Sequence, residues 1–185
     1  MKFNIIVAYC KNNGIGLNNN LPWSIKNDMK KFKDLTVGNK NNCVIMGRNT
    51  WESLNSSGLN NRDNLILSKT LDLDYINNNK NIIKSFKDYK LLNNFLDLKN
   101  YEIAWIIGGS EIYNYFLNNT NLINEIYVTY IDKNYTCDTF FSQIDKNRYI
   151  FISKDKLGTI NDENNETITI YNILYKSYFN NYSIS

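Results

Sequence analysis

The sequence predicts an α/β protein of three layers, in which about four helices flank a mixed, mostly parallel central sheet of about eight strands. In the first two thirds of the chain, short apolar runs alternate with segments of helical periodicity. Several of these runs are apolar throughout, as in strands that a parallel sheet buries on both faces. The last third holds strand patterns without helices between them, which predicts an antiparallel C-terminal hairpin at one edge of the sheet.

Eight short runs predict the strands, and none of them is long enough to span a bilayer. They cover residues 3–9, 43–46, 64–68, 81–86, 103–108, 125–131, 149–154 and 167–176. The first run follows one lysine and precedes no small-residue cleavage pattern, so we expect a buried strand there and not a signal peptide. Residues 158–166 are expected to form a hairpin loop, and residues 177–185 a frayed end.

Four segments have the periodicity of amphipathic helices, namely residues 24–35, 48–54, 89–98 and 110–118. In the first, one stripe combines apolar residues with an acid: Ile25, Asp28, Met29, Phe32 and Leu35. The other face is expected to carry the lysines Lys26, Lys30, Lys31 and Lys33. No linker or repeat divides the chain, so residues 1–185 are expected to form a single domain.

Composition excludes several classes of function. The net charge is only +3, and the lysines are interleaved with acids, so no basic stripe suggests a nucleic-acid-binding protein. The chain has no histidine, which removes histidine triads and histidine metal sites, and no metal is expected. Cys10, Cys43 and Cys137 lack metal-binding or disulfide spacing, which predicts free thiols in a reducing, cytoplasmic compartment.

Asp28 is the first candidate for chemistry, because it lies on the apolar stripe of the first helix. A buried carboxylate is unfavourable unless a partner stabilises it, and the helix offers no cation on that face. One interpretation is an acid of the first helical turn, which gains from the helix dipole. The other is a carboxylate at the floor of an apolar pocket, where it binds a polar heterocycle or manages a proton.

Three motifs place polar groups directly after predicted strands. They are "VIMGRNTWESL" (44–54), "LILSKT" (65–70) and "IIGGSEIY" (106–113). Their glycines, hydroxyls and cations suit phosphate groups, although Gly-Gly is about as often a packing device and the arginine could simply be solvated. Because open α/β sheets bind ligands at the carboxyl ends of their strands, the three motifs together fit one large phosphorylated cofactor beside a smaller substrate.

Five collinear blocks carry a family resemblance that spans Ile5 to Tyr175. They are "IIVAYCKNNGIGLNNNLPW", "NDMKKF", "VIMGRNTWESL", "NLILSKT" with "AWIIGGSEIY", and "IYVTYI" with "CDTFF". In this order and spacing, they resemble the dihydrofolate reductases. The resemblance implies NADPH-dependent reduction of 7,8-dihydrofolate to 5,6,7,8-tetrahydrofolate, with hydride transfer to C6 and solvent-assisted protonation of N5. It also implies binding of antifolates such as methotrexate, and a monomer that requires no nucleic acid, membrane or protein partner.

For the substrate, the resemblance implies contacts from ten residues: Val7, Ala8, Asp28, Met29, Phe32, Leu54, Leu59, Arg62, Ile107 and Thr129. Asp28 takes the place of the family's active-site carboxylate, which binds the pterin 2-amino group and a ring nitrogen. Thr129 would hydrogen-bond Asp28, and Arg62 would pair with the α-carboxylate of the glutamate tail. Trp23, beside the pterin edge, and Tyr113, beside the nicotinamide, complete the implied catalytic set.

For NADPH, the resemblance implies four groups of residues besides Ala8. The closing loop is Gly14, Ile15, Gly16, Leu17, Asn18, Asn19 and Asn20, and the first phosphate motif is Gly47, Arg48, Asn49 and Thr50. The second motif is Leu67, Ser68, Lys69 and Thr70, and the pyrophosphate turn is Gly108, Gly109, Ser110, Glu111, Ile112 and Tyr113. The family has a cis Gly-Gly peptide in that turn.

The chain departs from the family pattern in the segment that would hold the substrate tail. Gly58 and Asn55 stand where the family frequently has proline, which predicts a more flexible loop. Two other functions remain open on this scaffold. One is the pyrimidine reductase of riboflavin synthesis, and the other is a non-catalytic protein that binds folate, a nucleotide or RNA.

Overall fold

The structure is a computed structural model that describes residues 1–77, 80–119 and 121–179. Within these ranges there are four helices: α1 (Lys26–Val37), α2 (Arg48–Ser53), α3 (Tyr89–Asp97) and α4 (Ser110–Asn119). None of them is long and apolar enough to cross a membrane. The four helices therefore match the four predicted segments, with ends that differ by up to two residues.

Eleven strands belong to two sheets in the described part of the chain. They are β1 (Lys2–Cys10), β2 (Gly14–Gly16), β3 (Asn42–Gly47), β4 (Asp63–Leu67), β5 (Asp74–Ile76), β6 (Ile82–Phe86), β7 (Ile103–Gly108), β8 (Ile123–Ile131), β9 (Thr139–Phe140), β10 (Tyr149–Asn161) and β11 (Thr167–Ser177). The main sheet has nine strands in the order β10-β11-β8-β1-β7-β3-β4-β6-β5, and β2 pairs with β9 in a small second sheet.

The centre of the main sheet is parallel, and its edges are antiparallel. Strands β8, β1, β7, β3, β4 and β6 run in one direction. At one edge β11 and β10 are antiparallel, as predicted, and at the other β5 is antiparallel to β6. The sequence did not predict β2, β5 or β9, because strands of two or three residues are too short to show an alternating pattern.

The C-terminal hairpin is longer than the sequence suggests. Strand β10 continues to Asn161, so the turn is confined to residues 162–166 and the first part of the predicted loop is strand. Ser177 is buried and ends β11, so it is not frayed. Tyr178 and Phe179, which follow it, are exposed, and residues 180–185 of the expected frayed end lie outside the described residues.

The apolar residues divide between the two faces of the sheet, which gives the predicted three layers. On one face a cluster that includes Ile5 packs against Leu92 of α3 and Phe116 of α4. On the other, a cluster that includes Ile6 packs with Trp51 of α2, and Phe32 and Leu35 of α1 pack against that cluster. Neighbouring residues of β1 thus enter opposite cores, as strand geometry requires.

Asn64 organises the loop that precedes β4. Its side chain is fully buried, and its Nδ2 donates to the carbonyls of Leu59 and Arg62 at 3.0 and 2.9 Å. Its Oδ1 accepts from the backbone N–H of Leu59 at 2.8 Å. The loop contains Gly58 with φ +73°, and a Cβ there would lie 2.7 Å from the Ile83 side chain. The hydrogen bonds of the buried Asn64 amide therefore restrict the conformation of this loop, as a proline would at the positions of Asn55 and Gly58.

We expect Asn64→Leu to lower the free energy of unfolding by about 2–4 kcal/mol, because three backbone groups beside it lose their partner. Urea denaturation measures the change. Asn94→Ala, at an exposed position of α3, is the control and is expected to change the free energy by less than about 0.5 kcal/mol. Equal losses for the two variants would contradict the role assigned to Asn64.

Candidate functional site

A cleft of about 810 Å³ opens at the carboxyl ends of β1, β3, β4 and β7. This is the edge at which open α/β sheets bind ligands. Most of the residues that the sequence singled out line it. They are Val7, Ala8, Ile15, Gly16, Asn19, Asn20, Asp28, Met29, Phe32, Gly47, Arg48, Asn49, Thr50, Leu54, Leu67, Ser68, Lys69, Ile107, Gly109, Ser110, Glu111, Ile112 and Tyr113.

Asp28 lies in the first turn of α1 and also lines the cleft, so the two interpretations of this acid are compatible. Thr129 lies beneath it on β8, and its Oγ1 donates a hydrogen bond to Asp28 Oδ1 at 2.6 Å. Burial raises the pKa of the Asp28 carboxyl above its usual value, while the Thr129 hydrogen bond and the charge of Lys31 oppose that rise. The site thus holds a partly buried carboxylate with a dedicated donor.

The expectation that Lys31 faces away from Asp28 is wrong. Its ammonium lies 3.3 Å from Thr129 Oγ1, the same oxygen that bonds Asp28. Because residues three apart in a helix are neighbours, the spacing of Asp28 and Lys31 already places them on one side. A lysine can cover apolar surface with its methylene stem, so its presence on the stripe is physically ordinary.

The part of the cleft around Asp28 is otherwise apolar. Val7 of β1 and Ile107 of the neighbouring strand β7 line it, together with Phe32 and Leu54 from the helix side. Met29 also lines the cleft but is 55% exposed. An apolar pocket with one carboxylate suits a flat heterocycle that carries N–H donors.

Tyr113 lines the cleft from α4. Its side chain is buried, and its hydroxyl donates to the carbonyl of Ile6 at 2.9 Å. Burial is the main reason that the pKa of its hydroxyl is raised, with the Asp28 charge as a second cause. The phenol is therefore neutral at physiological pH and already committed as a donor.

The turn between β7 and α4 presents bare backbone to the cleft. The Gly108–Gly109 peptide bond is cis. The carbonyl of Gly109 accepts from the N–H groups of Ile112 and Tyr113, both at 3.0 Å, which starts α4. A Cβ on Gly109 would lie 3.5 Å from Thr50 Oγ1, so the glycine leaves the surface beside Thr50 uncovered. A phosphate group could approach the helix N-terminus at this point.

Cations gather at the end of the cleft away from Asp28. Arg48 donates from Nε to Glu52 at 2.6 Å and from Nη1 to Thr70 Oγ1 at 2.9 Å. These two bonds use two of the five N–H donors that a guanidinium carries. Lys69 and Lys87 line the same cleft, and they give this end a positive charge that suits phosphate.

The loop that was expected to close over the cleft is tied to a second segment. Strand β2 pairs with β9, and the N–H of Asn18 donates to Asp138 Oδ2 at 2.8 Å. Gly14 lies against the side chain of Cys137, where a Cβ would not fit. Gly14 and Asn18 therefore hold the loop against this segment, and Leu17 pairs with Asn20 within the loop. The remaining residues, Ile15, Gly16, Asn19 and Asn20, line the cleft.

Several other predicted residues do not line the cleft. Thr129 and Gly108 lie beneath it. Thr70 accepts a hydrogen bond from Arg48, which does line the cleft. Leu59 packs at the edge of the core cluster that contains Ile6.

Trp23 is buried against Tyr135, with 5.4 Å between the ring centroids. Its Nε1 has no hydrogen-bond partner among the described protein atoms, although the atom is buried. Such an orphaned donor is usually satisfied by a bound water.

Arg62 is also buried, and its guanidinium is partly engaged. Its Nε donates to the carbonyl of Asn60 at 3.0 Å, and its Nη1 donates to Thr36 Oγ1. Its guanidinium carbon lies 5.8 Å from the centroid of the Phe32 ring. The burial lowers the pKa of the guanidinium to about 10, which leaves it charged at neutral pH.

The sequence analysis missed five residues that line the cleft: Ile6, Leu21, Ser53, Lys87 and Thr139. For Lys87 a signal existed, because it directly follows β6, as Ser68 directly follows β4. Thr139 lies in β9, which was too short to predict.

The sequence model of a known family, described as "Dihydrofolate reductase", matches residues 2–176. The chain is 33% identical to the dihydrofolate reductase of Heliothis virescens, over 85% of this chain and 88% of that protein. It is 37% identical to that of Sus scrofa, over 82% of this chain and 84% of the relative.

Among solved structures, the fold is similar to that of a dihydrofolate reductase from Enterococcus faecalis, a structure determined in complex with NADP(H). The TM-score is 0.76, with 24% sequence identity and 96% of each chain covered. The family match covers nearly the whole chain, and several relatives exceed 30% identity over most of their length. The chain belongs to the dihydrofolate reductase family.

Proposed function

We propose that this chain reduces 7,8-dihydrofolate to 5,6,7,8-tetrahydrofolate with NADPH, acting as a single domain in the cytoplasm. The observation that supports this most is the pairing of Asp28 with Thr129 in the apolar part of a cleft whose other end is cationic. The three free cysteines are consistent with a reducing compartment. Methotrexate and related antifolates are the expected inhibitors, because they compete for the same carboxylate.

In the proposed complex, Asp28 binds the pterin. Its carboxylate accepts from the 2-amino group and the adjacent ring nitrogen, while Thr129 holds Oδ1 in place. Val7, Ala8 and Ile107 face one side of the ring, and Phe32 packs on the other. The pterin is thereby fixed by one charged contact in an apolar slot, which determines its orientation.

The tail of the substrate would extend past Leu54 and Leu59 toward Arg62. The guanidinium of Arg62 uses Nε and Nη1 internally, so its Nη2 is the donor we assign to the α-carboxylate. Its burial and its bond to Thr36 hold the group in one orientation before the ligand arrives. A preordered donor of this kind limits the entropy lost on binding.

The residues at the cationic end fit NADPH. The uncovered backbone at Gly109 and the start of α4 suit the pyrophosphate, and the Thr50 hydroxyl lies beside them. Arg48, Ser68 and Lys69 are assigned to the 2′-phosphate that distinguishes NADPH from NADH. Lys87 joins this assignment because it lines the same end of the cleft.

When bound, NADPH supplies the hydride from C4 of the nicotinamide to C6 of the pterin. The chain contributes alignment, electrostatics and the exclusion of bulk water. With no histidine in the chain, water is the source we assign to the proton for N5. The orphaned Nε1 of Trp23 is a suitable donor for a water near Asp28, whose negative charge raises the basicity of N5.

The two alternative functions are not favoured by the family assignment. A pyrimidine reductase would reduce a ribosyl-pyrimidine, and a binding scaffold would reduce nothing. An assay of NADPH oxidation with dihydrofolate, with and without methotrexate, separates the three. We expect oxidation that depends on dihydrofolate and that methotrexate abolishes.

Asp28→Asn is expected to lower hydride transfer at neutral pH by about a hundredfold or more, because the pterin loses its charged anchor. Single-turnover kinetics measure the step, and NADPH fluorescence titration is expected to give unchanged cofactor binding. Asp34→Asn is the matched control, since it removes the same charge from an exposed position of α1. Near-normal hydride transfer by Asp28→Asn would refute the assignment.

Arg48→Gln is expected to raise KM for NADPH by about tenfold or more, because one charged donor to the 2′-phosphate is lost. KM for NADH is expected to change far less, since NADH lacks that phosphate. Steady-state kinetics with both cofactors give the ratio. Lys90→Gln removes a charge from α3 outside the cleft and serves as the control. If KM for both cofactors rises equally, Arg48 does not read the phosphate.

A further inference from the structure

Lys31 is an unexpected cation beside the active-site acid. Its Nζ lies 2.6 Å from Asn172 Oδ1 on β11, 3.3 Å from Thr129 Oγ1 and 3.5 Å from the carbonyl oxygen of Val128 on β8. Its side chain is half-buried, whereas the adjacent Lys30 is exposed. The three contacts fix the ammonium over the strands that support the cleft.

The chemistry of these groups determines the direction of each hydrogen bond. An ammonium can only donate, so Thr129 Oγ1 accepts from Lys31. The single proton of the Thr129 hydroxyl is then directed to Asp28 Oδ1, at 2.6 Å. A carboxylate can accept this proton only while Oδ1 itself carries none. The hydrogen-bond chain Asn172–Lys31–Thr129–Asp28 therefore keeps Oδ1 unprotonated, so a proton on this acid would have to reside on Oδ2.

We propose that Lys31 is a positioning residue of the reductase reaction, whose ammonium orients the Thr129 hydroxyl and keeps Asp28 ionised for pterin binding. The proposal rests on the proposed role of Asp28 in binding the substrate. It assigns to Lys31 no contact with the substrate or the cofactor. Lys31 acts on the reaction through Thr129 and through its charge.

The charged and titratable groups around Asp28 support this role. Lys31 on α1 lowers the pKa of the Asp28 carboxyl, and Tyr113 on α4 is the other titratable group coupled to it. Strands β8 and β11 contribute the neutral side chains of Thr129 and Asn172. Among the described groups, Lys31 is thus the cation whose charge stabilises this carboxylate.

Burial acts on the pair in opposite directions. It raises the pKa of Asp28 and lowers the pKa of Lys31, and each charge offsets part of the effect on the other. Both charged atoms contact the same hydroxyl oxygen, which places them within the range of about 4–6 Å over which an opposite charge stabilises a carboxylate. Without the lysine charge, the pKa of Asp28 would rise further, and the acid would protonate at a higher pH.

The test compares Lys31→Met, which removes the charge and keeps the length, with Lys30→Met, which removes a charge from the exposed neighbour. The first measurement is a ¹³C-carboxyl NMR titration of the free enzyme, with the Asp28 signal assigned by its loss in Asp28→Asn. We expect the Asp28 midpoint to move to higher pH in Lys31→Met and to stay at the wild-type value in Lys30→Met. An unmoved midpoint in Lys31→Met would overturn the proposal.

The second measurement is the pH profile of kcat/KM for dihydrofolate. On the acid limb, Lys31→Met is expected to have a kcat/KM at least about tenfold below wild type, with a smaller difference above neutrality. Loss by the same factor at every pH would indicate a structural role and would overturn the proposal. The NMR midpoint does not depend on turnover, so the two failures can be told apart. A shifted midpoint in an enzyme inactive with dihydrofolate would refute the proposed function and leave only the charge effect of Lys31 on Asp28, whereas an unmoved midpoint in an active enzyme would refute this inference alone.

Lys31→Arg keeps the positive charge and is expected to keep the low midpoint and the wild-type acid limb. If Lys31→Met does not fold, as judged by circular dichroism, Lys31→Gln retains a polar donor without a charge and replaces it in both measurements. A midpoint in Lys31→Gln equal to that in Lys31→Arg would show that charge is not the cause, and would overturn the proposal.

Discussion

The stabilisation of one carboxylate in an apolar cleft is the constraint on which the site depends. Asp28 lies on α1, but the groups that stabilise it come from the sheet. The register of the strands places Ala8, Thr129 and Asn172 in one row across β1, β8 and β11. That row carries the floor of the cleft, the hydroxyl that bonds Asp28 and the amide that holds Lys31. A shift of one residue in either pairing would turn these side chains to the other face.

The fold could be predicted largely from the sequence because its main signals are local. Buried strands and amphipathic helices have patterns of four to twelve residues, and the order of the two kinds indicates a parallel sheet. The strand-end motifs that begin at Gly47, Ser68 and Gly108 identified the ligand edge for the same reason. Short strands such as β5 and β9 form only because a neighbouring segment pairs with them. The residues of the short strand alone do not identify that partner, so the strand cannot be predicted from them.

The site was harder to predict where a side chain departs from its usual environment. The sequence predicted a solvent-facing Lys31 because the buried face of the helix was assigned from apolar character alone. The spacing of three residues nevertheless makes Lys31 a neighbour of Asp28 on the helix surface. Its partner Asn172 is distant in sequence, and only the antiparallel pairing of β11 with β8 brings them together. Arg62 was expected to reach the substrate, yet its bonds to Asn60 and Thr36 also make it a part of the loop it belongs to.

The cation beside Asp28 has a consequence for the selectivity of inhibitors. A drug that binds Asp28 as a protonated base brings a second positive charge close to this carboxylate, because the ammonium of Lys31 already lies beside it. Like charges repel more strongly in a partly buried site than in water, so part of the expected gain from ligand protonation is lost. A neutral ligand with the same N–H donors meets no such repulsion. The chain should therefore discriminate less between basic and neutral heterocycles than a reductase whose carboxylate has only uncharged neighbours.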